Sequence, residues 1–179
     1  MISYLNSRRI LNKGKIKIKN ETILSVNSLN RVCSKNIYAK FNYPSGDNAA
    51  FDGYAINSND TKNLNRNKSK AFKIIGSISA GKKPLNKRIN KFEAVEIMTG
   101  GIIPKGFDTI IPIEQIIFYP DKKNHKFIVI NKKIDKYNHV RFAGSDFKKK
   151  ELVIKKNTLI LPNHILALKT LGIKNISVK

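Results

Sequence analysis

The sequence is short of several residue types whose scarcity narrows the field. It has one cysteine, Cys33, and no tryptophan. A lone cysteine excludes an intramolecular disulfide framework and any zinc site built from clustered thiolates. His125, His139 and His164 are scattered too widely to read as a ligand set. No run approaches the roughly 18 apolar residues of a membrane-spanning helix. The first 20 residues lack the apolar stretch, roughly 7–15 residues long, of a secretory signal. These absences make the cytoplasm the expected compartment and a membrane partner unexpected.

Acidic residues are also few: 12, against 35 basic ones, for a net charge of +23. Within the basic set arginine is scarce, 6 against 29 lysines. Arginine's planar fork is the better reader of phosphates and bases, so its scarcity argues against specific nucleic-acid recognition. Lys, Ile and Asn together make 77 of the 179 residues, or 43%. All three have A/T-rich codons, so a biased genome accounts for the composition as readily as a surface selected for polyanions. Both readings stay open. One has charge as background; the other makes the chain a non-enzymatic basic binding or dimerisation module.

What is present is β-rich. Runs at 54–57, 72–79, 94–98, 109–113, 115–119 and 127–130 are dense in Ile, Val, Phe and Tyr and separated by turn residues, which predicts short strands in a small barrel or sandwich. Residues 120–124 have the composition of a hairpin loop, and the polar stretch 60–70 that of a mobile loop. Val26, Leu29, Val32 and Cys33 fall at helical spacing and predict a short helix over 26–33. Strand-like texture is expected at 22–26, 37–41, 151–154, 158–161 and 173–178. Ile2, Leu5 and Ile10 place an apolar side on a short N-terminal helix. Pro162 suits a first helical turn; Ile165, Leu166, Leu168 and Leu171 give that helix an apolar face, and Gly172 ends it. The fold class is therefore mainly β with a few short helices (α+β).

Three segments carry more than scaffold. In the first, Asp47 and Asp52 flank a run of small residues and Gly53 follows. Such a carboxylate pair suits a divalent cation or proton transfer, while capping of turns is the bland reading and the one spacing favours. The second, Thr99-Gly100-Gly101 at a strand end, offers a hydroxyl and open N–H groups suited to an anion, or simply a glycine turn. The third is Arg141-Phe-Ala-Gly144-Ser-Asp146, with an arginine where lysine dominates, or an ordinary surface turn, which spacing does not reject.

In this order the three segments resemble the N-terminal half of MoeA-type molybdopterin molybdenumtransferases, the group that includes the gephyrin E domain. The motifs are Phe-Asp-Gly-Tyr-Ala-Ile at 51–56, Glu-Ile-Met-Thr-Gly-Gly at 96–101 leading to Ile-Pro-Ile-Glu at 111–114, and Val-Arg-Phe-Ala-Gly-Ser-Asp at 140–146, followed by Leu-Pro-Asn-His-Ile-Leu-Ala-Leu at 161–168. Against the family pattern, Ala49 replaces Ser, Phe51 replaces Met, Ile102 stands where Pro is usual after a small residue, and Ser145 replaces Glu.

The resemblance implies insertion of molybdate-derived molybdenum into adenylylated molybdopterin with release of AMP, and a Mg²⁺ requirement. It implies catalytic roles for Asp52, Thr99 and Asp146, with Asp52 as the tentative magnesium ligand. It implies substrate contacts at Asp47, Asn48, Gly53, Tyr54, Gly100 and Arg141. It further implies a discontinuous region at 1–50 and 141–179 around a β-barrel-like domain at 51–140. The active cleft would lie between the barrel domain of one subunit of a homodimer and the α/β domain of its partner. An α/β half, missing or separately encoded, is then expected to hold most of the pterin and molybdate contacts, leaving this chain inactive alone.

Overall fold

The computed structural model describes residues 2–14, 18–123 and 126–179. Residues 15–17 of the basic arm, Asn124 in the expected hairpin loop, and His125 lie outside them. The chain opens with helix α1 (Tyr4–Lys13) and strands β1 (Glu21–Leu24) and β2 (Ile37–Tyr38). Strands β3 (Asn48–Ala49), β4 (Gly53–Ile56), β5 (Lys70–Ile78), β6 (Glu93–Ile97) and β7 (Thr109–Pro112) follow. Then come β8 (Ile117–Tyr119), β9 (Phe127–Ile130), β10 (Val140–Arg141), β11 (Leu152–Ile154), α2 (Pro162–Thr170) and β12 (Asn175–Val178). The mixed α+β class read from the sequence is the one observed.

Two compact units make up the chain, Met1–Lys40 with Lys150–Lys179, and Phe41–Lys149. The partition expected from sequence broke the chain after residues 50 and 140. The antiparallel β3–β10 pair, Val140 opposite Ala49 and Arg141 opposite Asn48, keeps both of those positions inside the second unit.

The second unit is built on a curled six-stranded sheet in the order β7-β4-β6-β5-β9-β8. All of its pairs are antiparallel except β5–β6. Pro112 is tolerated because β7 is an edge strand, where a missing N–H costs no ladder bond. Strand β4 is central and buried at all four positions, so its side chains feed both faces. Tyr54 and Ile56 pack with Phe72, Ile111 and Ile128, while Ala55 packs with Val95, Ile97 and Ile110. The segment 60–70 is less loop-like than its polarity suggests. Thr61 is fully buried and donates its hydroxyl to the Ser58 carbonyl, and Leu64 is buried in the core. Hydrogen bonds through Thr61 and the Asp60 carboxylate tie this polar segment down.

In the first unit β1 pairs with β12 and β2 with β11, and α2 contributes the buried Leu168. Pro162 opens α2, the Leu161 N–H donates to His164 Nδ1 at 3.0 Å, and Gly172, with φ of +62°, follows the helix. The helix expected over 26–33 is absent. A single 3₁₀ turn spans Ser25–Asn27, and Val32 and Cys33 instead bridge to Leu159 and Val178. Val26 and Leu29 are exposed, so the apolar spacing does not mark a buried helical face. The strand expected at 158–161 is reduced to that bridge at Leu159. Helix α1 forms as expected, with Ser3 Oγ accepting from the Asn6 N–H, and buries none of its residues.

Candidate functional site

The antiparallel register Gly53↔Ile97 puts Asp52 and Thr99 at the same end of neighbouring strands β4 and β6. There the Asp52 Oδ1 accepts two hydrogen bonds, from the Thr99 N–H and the Thr99 hydroxyl, both at 2.6 Å. These donors hold the Asp52 carboxyl below the ordinary aspartate value of 3.8, the hydroxyl contributing most and burial opposing weakly. Because the folded pKa is depressed, any stability from this contact is present above 3.8 and lost as the pH falls through the folded value. Thr99→Val should therefore raise the Asp52 pKa toward 3.8 while the backbone donor remains, read from a carbon-detected carboxylate titration.

The turn carrying Thr99 is fixed from several sides. The Gly100 N–H donates to the Ala49 carbonyl at 2.9 Å, the Gly101 N–H to the Met98 carbonyl at 2.8 Å, and the Ala49 N–H to the Gly101 carbonyl at 3.0 Å. Gly100 has φ of +80°, a conformation that suits glycine. The three N–H groups of the turn are thus all engaged, that of Thr99 by Asp52, that of Gly100 by Ala49 of β3 and that of Gly101 by Met98 within the turn. Through Thr99 the turn holds Asp52.

The other predicted residues fall in different surroundings. Gly53 is where β4 comes closest to β7: a Cβ there would lie 2.0 Å from the Ile111 carbonyl oxygen. Tyr54 is wholly buried in the sheet, its pKa pushed up to about 12 by burial first and by Glu96 second. It packs in the core with Ile56, Phe72 and Ile111. Asp47 Oδ1 accepts from the Ala143 N–H at 2.8 Å, tying the first segment to the third. Arg141 donates from Nη2 to Asp146 Oδ2 at 2.5 Å, and that carboxylate raises the arginine's pKa. Asn48 sits opposite Arg141, and its buried side-chain oxygen has no hydrogen-bond partner among the described residues.

Sequence reasoning missed Ser58, whose N–H and hydroxyl donate to the two oxygens of Asp108 at 2.7 and 2.9 Å. It also missed the edge-on contact of Phe51 with His139, ring centroids 4.9 Å apart.

Among the described residues no three His, Cys, Asp or Glu side chains converge as a metal site. Asp47 and Asp146 are engaged as above. Neither Asp52 Oδ2 nor Asp47 Oδ2 accepts a hydrogen bond from the described residues, whereas both oxygens of Asp146 are engaged. Mg²⁺ is commonly held by one or two carboxylates with substrate phosphates and water, so this arrangement fits it.

The fold built on this curled mixed sheet is shared with solved molybdopterin biosynthesis MoeA proteins. Two structures of such proteins from Pyrococcus horikoshii match it. One gives a TM-score of 0.80 at 30% identity, covering 90% of this chain and 41% of that one. The other gives 0.84 at 28%, covering 95% and 42%. The chain belongs to the family described as the MoeA N-terminal region (domain I and II), which it matches over residues 2–172. Curated relatives named molybdopterin molybdenumtransferase include one from Staphylococcus aureus strain Mu50, 32% identical over 157 residues, and one from Bacillus subtilis, 28% identical over 158. Each alignment covers 88% of this chain and 36% of the relative, so the chain spans about a third of their length. No helix among the described residues is long and apolar enough to cross a membrane.

Proposed function

We propose that this chain forms the substrate-covering N-terminal part of a molybdopterin molybdenumtransferase, which inserts molybdenum from molybdate into adenylylated molybdopterin and releases AMP. The observation that carries the reading is the exposed Asp52 carboxylate, held by two Thr99 donors in a chain of the MoeA N-terminal family. Two donors on one oxygen fix the carboxylate's direction and keep it ionised. The free Oδ2 then faces substrate with a full negative charge. Thr99 positions Asp52. The Arg141–Asp146 pair presents a guanidinium, well suited to a phosphate, and Asp146 steadies it. Gly53 and Gly100 allow the backbone approaches that bring Asp52 and Thr99 together, and Asp47 anchors the 140–146 segment beside them. Asp52 would hold Mg²⁺, which when bound would supply charge neutralisation for the substrate's phosphates. The cleft is completed by an α/β region and by a second subunit, as a homodimer.

The test is molybdate-dependent AMP release. The 179-residue chain alone should show none, because transfer needs pterin, molybdate and phosphates in one geometry, and misplacement by about 1 Å can cost around a hundredfold. Mixing it with the remaining two-thirds of the Staphylococcus aureus relative should restore release. Turnover by the chain alone would put the whole active centre within residues 1–179.

A further inference from the structure

A cavity of about 430 Å³ lies wholly within the sheet unit, lined among others by Asp47, Lys105, Phe107, Asp108, Lys136 and Tyr137. Its volume suits one heterocycle with a phosphate, at the small end of the roughly 300–1,000 Å³ of ligand pockets. The lining carries two kinds of recognition at once. Lys105 and Lys136 are exposed, and neither forms an ion pair among the described residues. The Lys136 ammonium lies 4.7 Å from the centroid of the half-exposed Tyr137 ring. The N–H groups of Lys105 and Gly106 accompany them, making no hydrogen bond among the described residues, while the Phe107 N–H closes the turn on the Pro104 carbonyl.

The two carboxylates are steadied from outside the cavity. Asp108 takes both Ser58 donors and Asp47 takes the Ala143 N–H. Each carboxylate oxygen has lone pairs to spare for further donors. Phe107 is nearly buried and supplies an apolar wall. The lining pairs two ammonium groups with two carboxylates, so a simple anion or a simple cation engages only half of it. A molecule carrying a phosphate at one end and ring N–H or amino donors at the other satisfies both.

We propose that this cavity binds a phosphorylated aminoheterocycle, its phosphate on Lys105 and Lys136 and its ring donors on Asp47 and Asp108, with the ring beside Phe107 and Tyr137. Two groups of that chemistry occur in adenylylated molybdopterin, the pterin phosphate and the adenylate. Assigning the pocket to that substrate rests on the transferase reading; the binding itself does not.

The experiment is a ¹⁵N-resolved NMR titration of the 179-residue chain with AMP, with 6-hydroxymethylpterin phosphate and with inorganic phosphate. Saturable shifts are expected at the Lys105, Gly106, Lys136 and Tyr137 amides with one of the heterocyclic phosphates, and the arm that responds identifies the source. Lys136→Ala should weaken that binding about tenfold, the worth of one charge-assisted contact. No saturable shift at these amides with either heterocycle would overturn the proposal. So would an equal response to inorganic phosphate, or indifference to Lys136→Ala. Binding without AMP release in the mixed-chain assay would sink the transferase reading and leave the pocket standing; release without binding would do the reverse.

Discussion

Asp52→Asn should lower molybdate-dependent AMP release by at least about a hundredfold, the lower range for loss of a positioned acid–base or charged group, while leaving the fold intact. The substitution is nearly isosteric. An amide oxygen still accepts from the Thr99 N–H and hydroxyl, so the turn is kept. What disappears is the negative charge on an exposed oxygen that no described residue engages. Circular dichroism and the melting temperature should match the parent, separating the effect from misfolding. A folded, fully active variant would remove Asp52 from the reaction. The assay is made in the mixed-chain system, since the expected defect is in turnover.

Gly53→Ala is expected to act through the backbone and to cost both stability and activity. The added Cβ would meet the Ile111 carbonyl oxygen at 2.0 Å, its carbon at 2.9 Å and Pro112 Cα at 3.0 Å. All three are backbone atoms of β7, so no side chain can swing aside and the strands must part. A loss of at least about 2 kcal/mol is expected for a core strain of this kind, seen as a fall in melting temperature of roughly 4–8 °C. The same movement displaces Asp52, whose carbonyl accepts the Ile113 N–H at 3.0 Å, so AMP release should fall too. Gly46→Ala is the control: there a Cβ meets only the Ile102 side chain, at 3.3 Å, and a small effect is expected. A Gly53→Ala protein as stable as the parent would show that the β4–β7 approach is looser than described.

The strands were legible where local composition and burial agree. The run 127–130 coincides with β9, and the runs at 54–57, 72–79 and 94–98 overlap β4, β5 and β6 to within two residues at each end. The signal failed where burial comes from distant chain. Val26, Leu29, Val32 and Cys33 have helical spacing by accident: two are exposed, and the other two are held by bridges to residues 127 and 145 positions further on. The same limit governs the site. Asp52, Thr99 and Arg141 were visible as motif residues, but the Asp52–Thr99 bond spans 47 residues and the Asp47–Ala143 bond 96. Neither is readable without the β4–β6 and β3–β10 pairings. The glycines of 99–101 suggested open N–H groups because sequence does not show that Ala49 of β3 takes the Gly100 N–H and the Met98 carbonyl the Gly101 N–H. The Ser58–Asp108 clamp joins two ordinary surface-looking residues and left almost no trace in the pattern.

The central claim is that residues 2–172 do the work of the matching region in a molybdopterin molybdenumtransferase. Its most direct test is to graft them in place of that region in the Staphylococcus aureus relative and to measure AMP released and molybdenum inserted per subunit from adenylylated molybdopterin and molybdate. The graft is expected to fold and to release AMP with matching molybdenum insertion, both abolished by Asp52→Asn. A graft that folds as well as the parent enzyme but releases no AMP, or one whose activity is indifferent to Asp52→Asn, would contradict it.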